Sequence, residues 1–205
     1  MTRSTVSKLV VGGALAAICI TAAMSDSRAD AVADFYKGRQ VVIQVGFGAG
    51  GGYDTTARIV ARHLGKHIPG NPNVIVQNVP GAGSMKVANY LFNAAPKDGT
   101  VLGVFSSSVA VQPLYGNKKA KFVTSEFEWI GSMHSDIQSC GVWKGAGQGI
   151  KTLHDLIAAK KTVVFGATSP ASPTSQFPLF LKNIFGAKIK VINGYKGTKG
   201  INLAM

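Results

Sequence analysis

Strand-like and helix-like patterns alternate along most of the chain after residue 35, and this alternation constrains the fold more than any other feature. The run from Gln40 to Val45 is short and rich in β-branched residues, as is typical of a strand. The segment from Tyr53 to Leu64 that follows repeats apolar residues at helical spacing, which places them on one helix face. Strands that alternate with helices predict a largely parallel sheet covered by helices, an α/β fold.

The same patterns predict the other elements and two α/β lobes. Further strands are expected at 74–77, 101–105, 127–133, 139–143, 162–165 and 188–192, and further helices around 88–95, 152–159 and 176–185. In the last of these helices, Phe177, Phe180, Leu181 and Ile184 are expected to face inward. The alternation of strand-like and helix-like patterns is weakest between Ser106 and Gly149, so we place the first lobe at 30–135 and the second at 136–205.

The first 29 residues have the layout of a secretory signal peptide. Arg3 and Lys8 give a positive start, an apolar run extends from Leu9 to Ala23, and a polar stretch of small residues precedes Asp30. An apolar run of about fifteen residues is too short to cross a bilayer comfortably. We therefore expect the protein to be exported to the periplasm.

Charge and cysteine usage limit the partners that the protein is expected to have. The chain carries 22 Lys and Arg against 9 Asp and Glu, a net charge of +13, which raises the question of nucleic acid. The lysines are scattered except around Lys118–Lys121, and no aromatic residues interleave with them. We expect a solvated basic surface that attracts anions, and no nucleic acid. After removal of the signal, Cys140 is the only cysteine, expected as a buried small hydrophobe without a disulfide.

Three strand-to-helix junctions carry unusual loops, which we call the first, second and third loops. They are Gly46 to Asp54, Pro80 to Ser84 and Gly166 to Ser175. Glycine lets a backbone approach a ligand closely, and a helix N-terminus adds a partial positive charge. The loops predict an anion cradle made mostly of backbone, although each could be only a tight turn. Asp54 has two interpretations, a complement to the helix dipole or a contact to a ligand's amine or hydroxyl.

The first loop also satisfies a dinucleotide-binding pattern. Gly46, Gly48 and Gly51 follow a strand with the spacing G-x-G-x-x-G. That fold requires an acidic residue near the end of the second strand, where this chain has Gln77-Asn78. A nucleotide-binding enzyme is therefore the less favoured alternative, and no cofactor is expected.

Two other groups of side chains have spacings that a metal or catalytic site could use. His63 and His67 have the i, i+4 spacing of a metal pair, but no third ligand accompanies them. His134 and Asp136 lie near Cys140, but nothing marks an oxyanion hole or a nucleophile elbow. We expect neither a metal site nor catalytic residues, and hence no enzyme activity.

The order of several motifs resembles that of a known family. The first loop is followed by Ala57-Arg58, then by Asn78-Val79-Pro80-Gly81-Ala82-Gly83 and by Pro96-Lys97-Asp98-Gly99-Thr100. Weaker matches are Leu114-Tyr115, Phe127 to Ile130 and Gly194-Tyr195-Lys196-Gly197. With these motifs the chain resembles the substrate-binding proteins of tripartite tricarboxylate transporters, also called Bug-type receptors.

The resemblance implies a two-lobed periplasmic-binding-protein fold of a type II-like form, with mostly parallel sheets flanked by helices. Such a monomer would close on a small carboxylate and deliver it to the membrane permease subunits of the transporter; an exported sensor partner of a signalling kinase is the alternative. The ligand-binding residues that the resemblance implies are Phe47, Gly51, Asp54, Gly81, Ala82, Gly83, Ser84, Thr168, Ser169, Ser172, Thr174 and Tyr195. The third loop departs from the family pattern, with Pro170 and Pro173 where glycine is usual.

The family usually continues well beyond the length of this chain. Ile201 to Met205 has the pattern of the first turn of a helix. The resemblance therefore predicts an incomplete second lobe, in which apolar helix faces lack part of their cover.

Overall fold

The computed structural model describes residues 31–133, 135, 139–146 and 149–205. The predicted signal peptide, His134 and Asp136 lie outside the described residues. The described strands are β1 Gln40–Val45, β2 Asn73–Asn78, β3 Val101–Val104, β4 Val163–Ala167 and β5 Ile189–Asn193. The described α-helices, apart from a helical stretch at 31–36, are α1 Gly52–Leu64, α2 Met85–Asn93, α3 Ser107–Ala110, α4 Leu153–Ile157, α5 Pro173–Phe185 and α6 Thr198–Ala204.

The chain forms two compact units. Of the described residues, one unit contains those up to Gln40 together with His63–Val74, and the other contains Val41–Arg62 together with those from Ile75 to Met205. In the first unit, the Asn73 N–H donates to the Arg39 carbonyl, and the Arg39 guanidinium lies 4.1 Å from the centroid of the Phe35 ring. The second unit holds all three glycine- and serine-rich loops, so it is the unit that positions the candidate site.

Two sheets form, and their pairings confirm the predicted α/β class. The first has the strand order β2-β1-β3, and the second pairs β4 with β5. β1 and β3 run parallel, with Val42 opposite Val101, and β4 and β5 run parallel, with Val163 opposite Ile189. Parallel neighbours bring the carboxyl ends of their strands to one edge of a sheet, which is where the loops begin.

Each sheet is accompanied by its own cluster of buried apolar side chains. On β1, Val41, Ile43 and Val45 are buried, because alternate residues of a strand face the same side. One cluster contains Met85, Ala88, Val109 and Phe122. The other contains Leu156, Val163, Ala187 and Ile189. Ala57 in α1 and Ala88 in α2, two apolar residues of the expected helix faces, are buried.

The strands expected at 127–133 and 139–143 are absent, although both stretches are described. The Phe127 ring instead packs into an aromatic cluster, 5.5 Å from Phe92 and 5.6 Å from Trp129 between ring centroids. Aromatic packing against α2 thus replaces strand pairing in the first stretch. Cys140, in the second, is exposed, so its expected burial was also wrong.

The buried face of α5 also differs from the expected one. Phe177, Phe180 and Ile184 are 47 %, 53 % and 65 % exposed, whereas Ser175 and Pro178 are buried. Of the four residues expected inward, Leu181 alone packs against the second cluster. Apolar residues occur all around this helix, so periodicity could not decide which face meets β4 and β5.

Candidate ligand-binding site

The first loop runs from the end of β1 into α1 and is held by its own aromatic pair. The Phe47 side chain is buried and stacks on the Tyr53 ring, with centroids 4.5 Å apart and planes at 14°. Gly50 adopts a φ of +79°, a conformation that favours glycine. Its N–H donates to an Asp54 carboxylate oxygen at 2.8 Å, so the loop folds back on the start of α1.

Asp54 is buried, and its carboxylate binds donors from three places in the chain. Besides the Gly50 N–H, it accepts hydrogen bonds from Arg58 Nε at 3.0 Å and from Asn78 Nδ2 at 2.9 Å. Arg58 also forms an ion pair with Asp54, because its Nη2 lies 3.0 Å from Oδ1, the oxygen that accepts from Asn78. Burial alone would raise the pKa of Asp54, but these hydrogen bonds and the charge of Arg58 outweigh it and hold the pKa below its usual value. A ligand contact for Asp54 stays a prediction.

Asn78, at the end of β2, completes this network. One hydrogen of its Nδ2 goes to Asp54 and the other to the Phe47 carbonyl at 3.0 Å, while its Oδ1 accepts from Arg58 at 2.9 Å. An amide can donate and accept at the same time, which a carboxylate at this position could not do. From the sequence, Asn78 stands where a dinucleotide fold has an acid and begins one of the family motifs, but no pattern predicts this network. Asn78 therefore links the first loop to β2, the strand that leads into the second loop.

The second loop is a sharp, left-handed turn packed onto the end of β1. Ala82, Gly83 and Ser84 have φ values of 48°, 64° and 75°, a strained conformation for the two residues that are not glycine. A Cβ on Gly46 would lie 2.2 Å from the Ser84 Cβ, so the two loops touch closely. The buried Ser84 hydroxyl donates to the Gly83 carbonyl and accepts from the Ser106 N–H at 2.9 Å.

The third loop is held together by hydrogen bonds to its own hydroxyl groups. The Thr168 N–H donates to Thr174 Oγ1 at 3.1 Å, and the Ser169 N–H donates to Ser172 Oγ at 3.2 Å. Ser172 Oγ in turn donates to the Ser169 carbonyl at 2.7 Å. These two N–H groups are satisfied inside the loop, and the side chains of Ser169 and Ser172 are buried.

The structure brings the predicted loops together, through direct contacts between the ends of the two sheets. A Cβ on Gly83 would lie 2.2 Å from Ser169 Oγ, so the second loop lies against the third. The Gly48 N–H donates to the Lys196 carbonyl at 2.8 Å, so the first loop lies against the segment that follows β5. Tyr195 belongs to that segment, and its N–H donates to the Ala167 carbonyl at 3.2 Å.

Two residues at the start of α6 join the site without having been predicted. Thr198 Oγ1 lies 3.5 Å from the position that a Cβ on Gly51 would take. Lys199 Nζ lies 3.4 Å from the corresponding position on Gly50. The Gly194-Tyr195-Lys196-Gly197 motif, directly before this helix, was the available sequence signal.

The charges at this junction favour an anion. Asp54 is the one acidic residue in 46–54, 80–84, 166–175 and 194–199, and Arg58 pairs with it. Lys196 and Lys199 add two positive charges. The N-termini of α1 and α5 lie behind the first and third loops and add partial positive charge. The arrangement can bind a small anion by backbone N–H groups, hydroxyls and nearby lysines.

Known proteins resemble the chain in sequence and in fold, although no family model matches it. It is 31 % identical over 169 residues, 80 % of this chain and 47 % of the relative, to the UPF0065 protein in the TAR-I ttuE-ttuC' intergenic region of Agrobacterium vitis. MatC of Rhodopseudomonas palustris, solved with bound malate, matches 81 % of this chain and 56 % of its own, with 19 % identity and a TM-score of 0.57. The periplasmic binding protein BugD matches 80 % of this chain and 54 % of its own, with 18 % identity and a TM-score of 0.52.

The fold is therefore that of the periplasmic binding proteins. Within that class, the predicted resemblance to Bug-type receptors is confirmed, by sequence in the UPF0065 protein and by structure in BugD. The chain spans about half the length of these proteins. Among the described residues, no helix is both long enough and apolar enough to cross a membrane.

Proposed function

We propose that this protein is a periplasmic solute receptor that binds a small carboxylate where the three loops meet. The observation that carries the proposal is the charge balance of the junction, where Arg58 pairs with Asp54 and two lysines lie close by. Bound malate in MatC, a protein of the same fold, supports a carboxylate as the ligand class. Binding without catalysis is the proposed role, and no cofactor takes part in it.

In the proposed site, some residues contact the ligand through backbone atoms and others through hydroxyl groups. Gly51 and the second loop, Gly81 to Ser84, present backbone to the ligand, and glycine keeps that approach open. Phe47 supports the first loop through its stacking on Tyr53. The hydroxyl groups of Thr168, Ser169, Ser172 and Thr174 form the opposite wall, with Tyr195 beside them. Asp54 holds the first loop in shape through Gly50 and Asn78.

Export through the predicted signal peptide and delivery of the ligand to a tripartite permease complete the proposal. A basic protein with an anion site at strand ends suits capture of an organic acid outside the cytoplasm, because its overall charge attracts anions. The two predicted lobes, 30–135 and 136–205, would close on the bound acid.

A ligand screen tests the binding part of the proposal. Purified protein is titrated with malate, succinate, citrate and glutamate, with the uncharged diamide of succinate as the matched control. At least one acid should raise the melting temperature by mass action, and the diamide should not. Gly51→Val should weaken that binding and leave the fold intact, since a Cβ there meets Thr198 Oγ1 at 3.5 Å and the Gly48 carbonyl oxygen at 3.6 Å, both ordinary contact distances. Failure of every carboxylate to shift the melting temperature would refute the proposed function.

A further inference from the structure

The Lys199 side chain, at the start of α6, lies along the first loop. A Cβ on Gly50 would lie 3.1 Å from Lys199 Cδ and 3.4 Å from its Nζ, so the apolar stem and the ammonium group both reach this loop. Gly50 has a φ of +79°, so the residue that Lys199 covers favours glycine. Lys199 therefore places a positive charge directly beside the glycine backbone of the candidate site.

Contacts on two sides hold the segment that carries Lys199. The Gly48 N–H donates to the Lys196 carbonyl at 2.8 Å, which ties the segment to the first loop. A Cβ on Gly166 would lie 2.8 Å from Ile201 Cγ2, so α6 also packs against β4. A side chain on a backbone that is already ordered loses less conformational freedom when it binds a partner. Lys199 is thus partly preorganised for an anion.

The charge of Lys199 has no counterpart within the described part of the chain. The side chain is exposed, and among the described residues its ammonium group forms no ion pair. Asp54, the acid of the first loop, accepts a hydrogen bond from the Gly50 N–H at 2.8 Å and pairs with Arg58 at 3.0 Å. Because Arg58 neutralises Asp54, the charge of Lys199 remains available to a ligand.

A lysine beside the loops adds a discrimination that directed hydrogen bonds lack. In the proposed function, backbone and hydroxyl groups of the loops bind one carboxylate through hydrogen bonds of a particular geometry. The lysine ammonium is instead a compact charge on a flexible stem. Its attraction depends on the charge of the partner and on the distance, so it distinguishes an anionic group from a neutral group of the same shape.

We propose that Lys199 is a specificity-determining residue, whose ammonium group pairs with a second carboxylate of the ligand and makes the site prefer a dicarboxylate to a monocarboxylate. The inference rests on the proposed function and deepens it by naming the class of ligand. The loops bind one end of the ligand, and Lys199 binds the charged group at the other end.

Succinate and its monoamide, succinamate, test the inference because they have nearly the same shape and differ by one charge. In calorimetric titrations the wild type should bind succinate about 3- to 10-fold more tightly, a difference typical of one partly exposed ion pair. In Lys199→Gln the dissociation constant of succinate should rise about 3- to 10-fold, and that of succinamate by less than about 2-fold. Lys199→Arg keeps the charge and should keep the preference for succinate.

Lys182→Gln is the matched control, because Lys182 is an exposed lysine of α5 and its replacement changes the net charge by the same amount. This variant should keep the preference for succinate. An unchanged preference in Lys199→Gln would overturn the inference. So would an equal loss of preference in Lys182→Gln, because the overall charge of the protein would then explain the effect. Absence of carboxylate binding by the wild type would overturn the proposed function itself, so the two failures are distinguishable.

Discussion

Replacing Asp54 by asparagine tests whether its carboxylate holds the first loop in place. One oxygen accepts from Asn78 and the other from Gly50, so either orientation of an amide would set an NH2 group against a donor. A hydrogen bond to a charged group contributes about 1.5–3 kcal/mol. The Arg58 side chain is 44 % exposed, so loss of its ion pair adds little. We expect the free energy of unfolding to fall by about 2–3 kcal/mol at pH 7.

Urea unfolding at several pH values measures this effect. Because the pKa of Asp54 is lowered in the folded protein, its ionised form stabilises the fold above the ordinary pKa of an unfolded aspartate, about 3.9. That contribution is lost as the pH falls through the folded-state pKa. The difference between wild type and Asp54→Asn should therefore be full at pH 7 and shrink steadily below about pH 5.

A second aspartate variant serves as the control for Asp54→Asn. Asp34→Asn replaces an exposed acid and should change the free energy of unfolding by less than about 0.5 kcal/mol. Equal stability of wild type and Asp54→Asn at pH 7 would refute the role of the carboxylate network. A difference that stays constant down to pH 3 would show that the charge of Asp54 is not its source.

Three further substitutions test other parts of the site and the fold. Gly46→Ala should lower the free energy of unfolding, measured in urea, by about 2 kcal/mol or more, because the new Cβ would lie 2.2 Å from the Ser84 Cβ. Gly52→Ala is the control and should leave the free energy of unfolding unchanged, because no atom lies within 4 Å of its Cβ position; equal effects of the two variants would contradict the close contact. Asn78→Asp should lower the free energy of unfolding by about 2 kcal/mol or more at pH 7, and by less in acid, since it places a second carboxylate beside Asp54. An unchanged urea midpoint at pH 7 would contradict this. Phe180→Gln should alter stability by less than about 0.5 kcal/mol, because this side chain is exposed, and a loss of about 3 kcal/mol would place it in the core.

Local patterns were sufficient for most elements and for the loops between them. The strands at Gln40–Val45 and Ile189–Asn193 and the helix at Gly52–Leu64 lie where the periodicity predicts, because alternation and helical spacing depend only on near neighbours in sequence. The glycine- and serine-rich loops were identified in the same way. Their expected meeting at strand ends followed from the parallel order of an α/β sheet.

The sequence by itself thus determined the α/β class, most of the strands and helices outside 106–149, and the chemical character of the loops. Tertiary structure decided what those loops touch. The buried face of α5, the aromatic packing of Phe127, the role of Asn78 and the approach of Lys199 to Gly50 all depend on residues far apart in the chain. The Ser169 hydroxyl, which has no hydrogen-bond partner among the described residues, is of the same kind, because whether a buried donor is satisfied depends on the position of every neighbouring group.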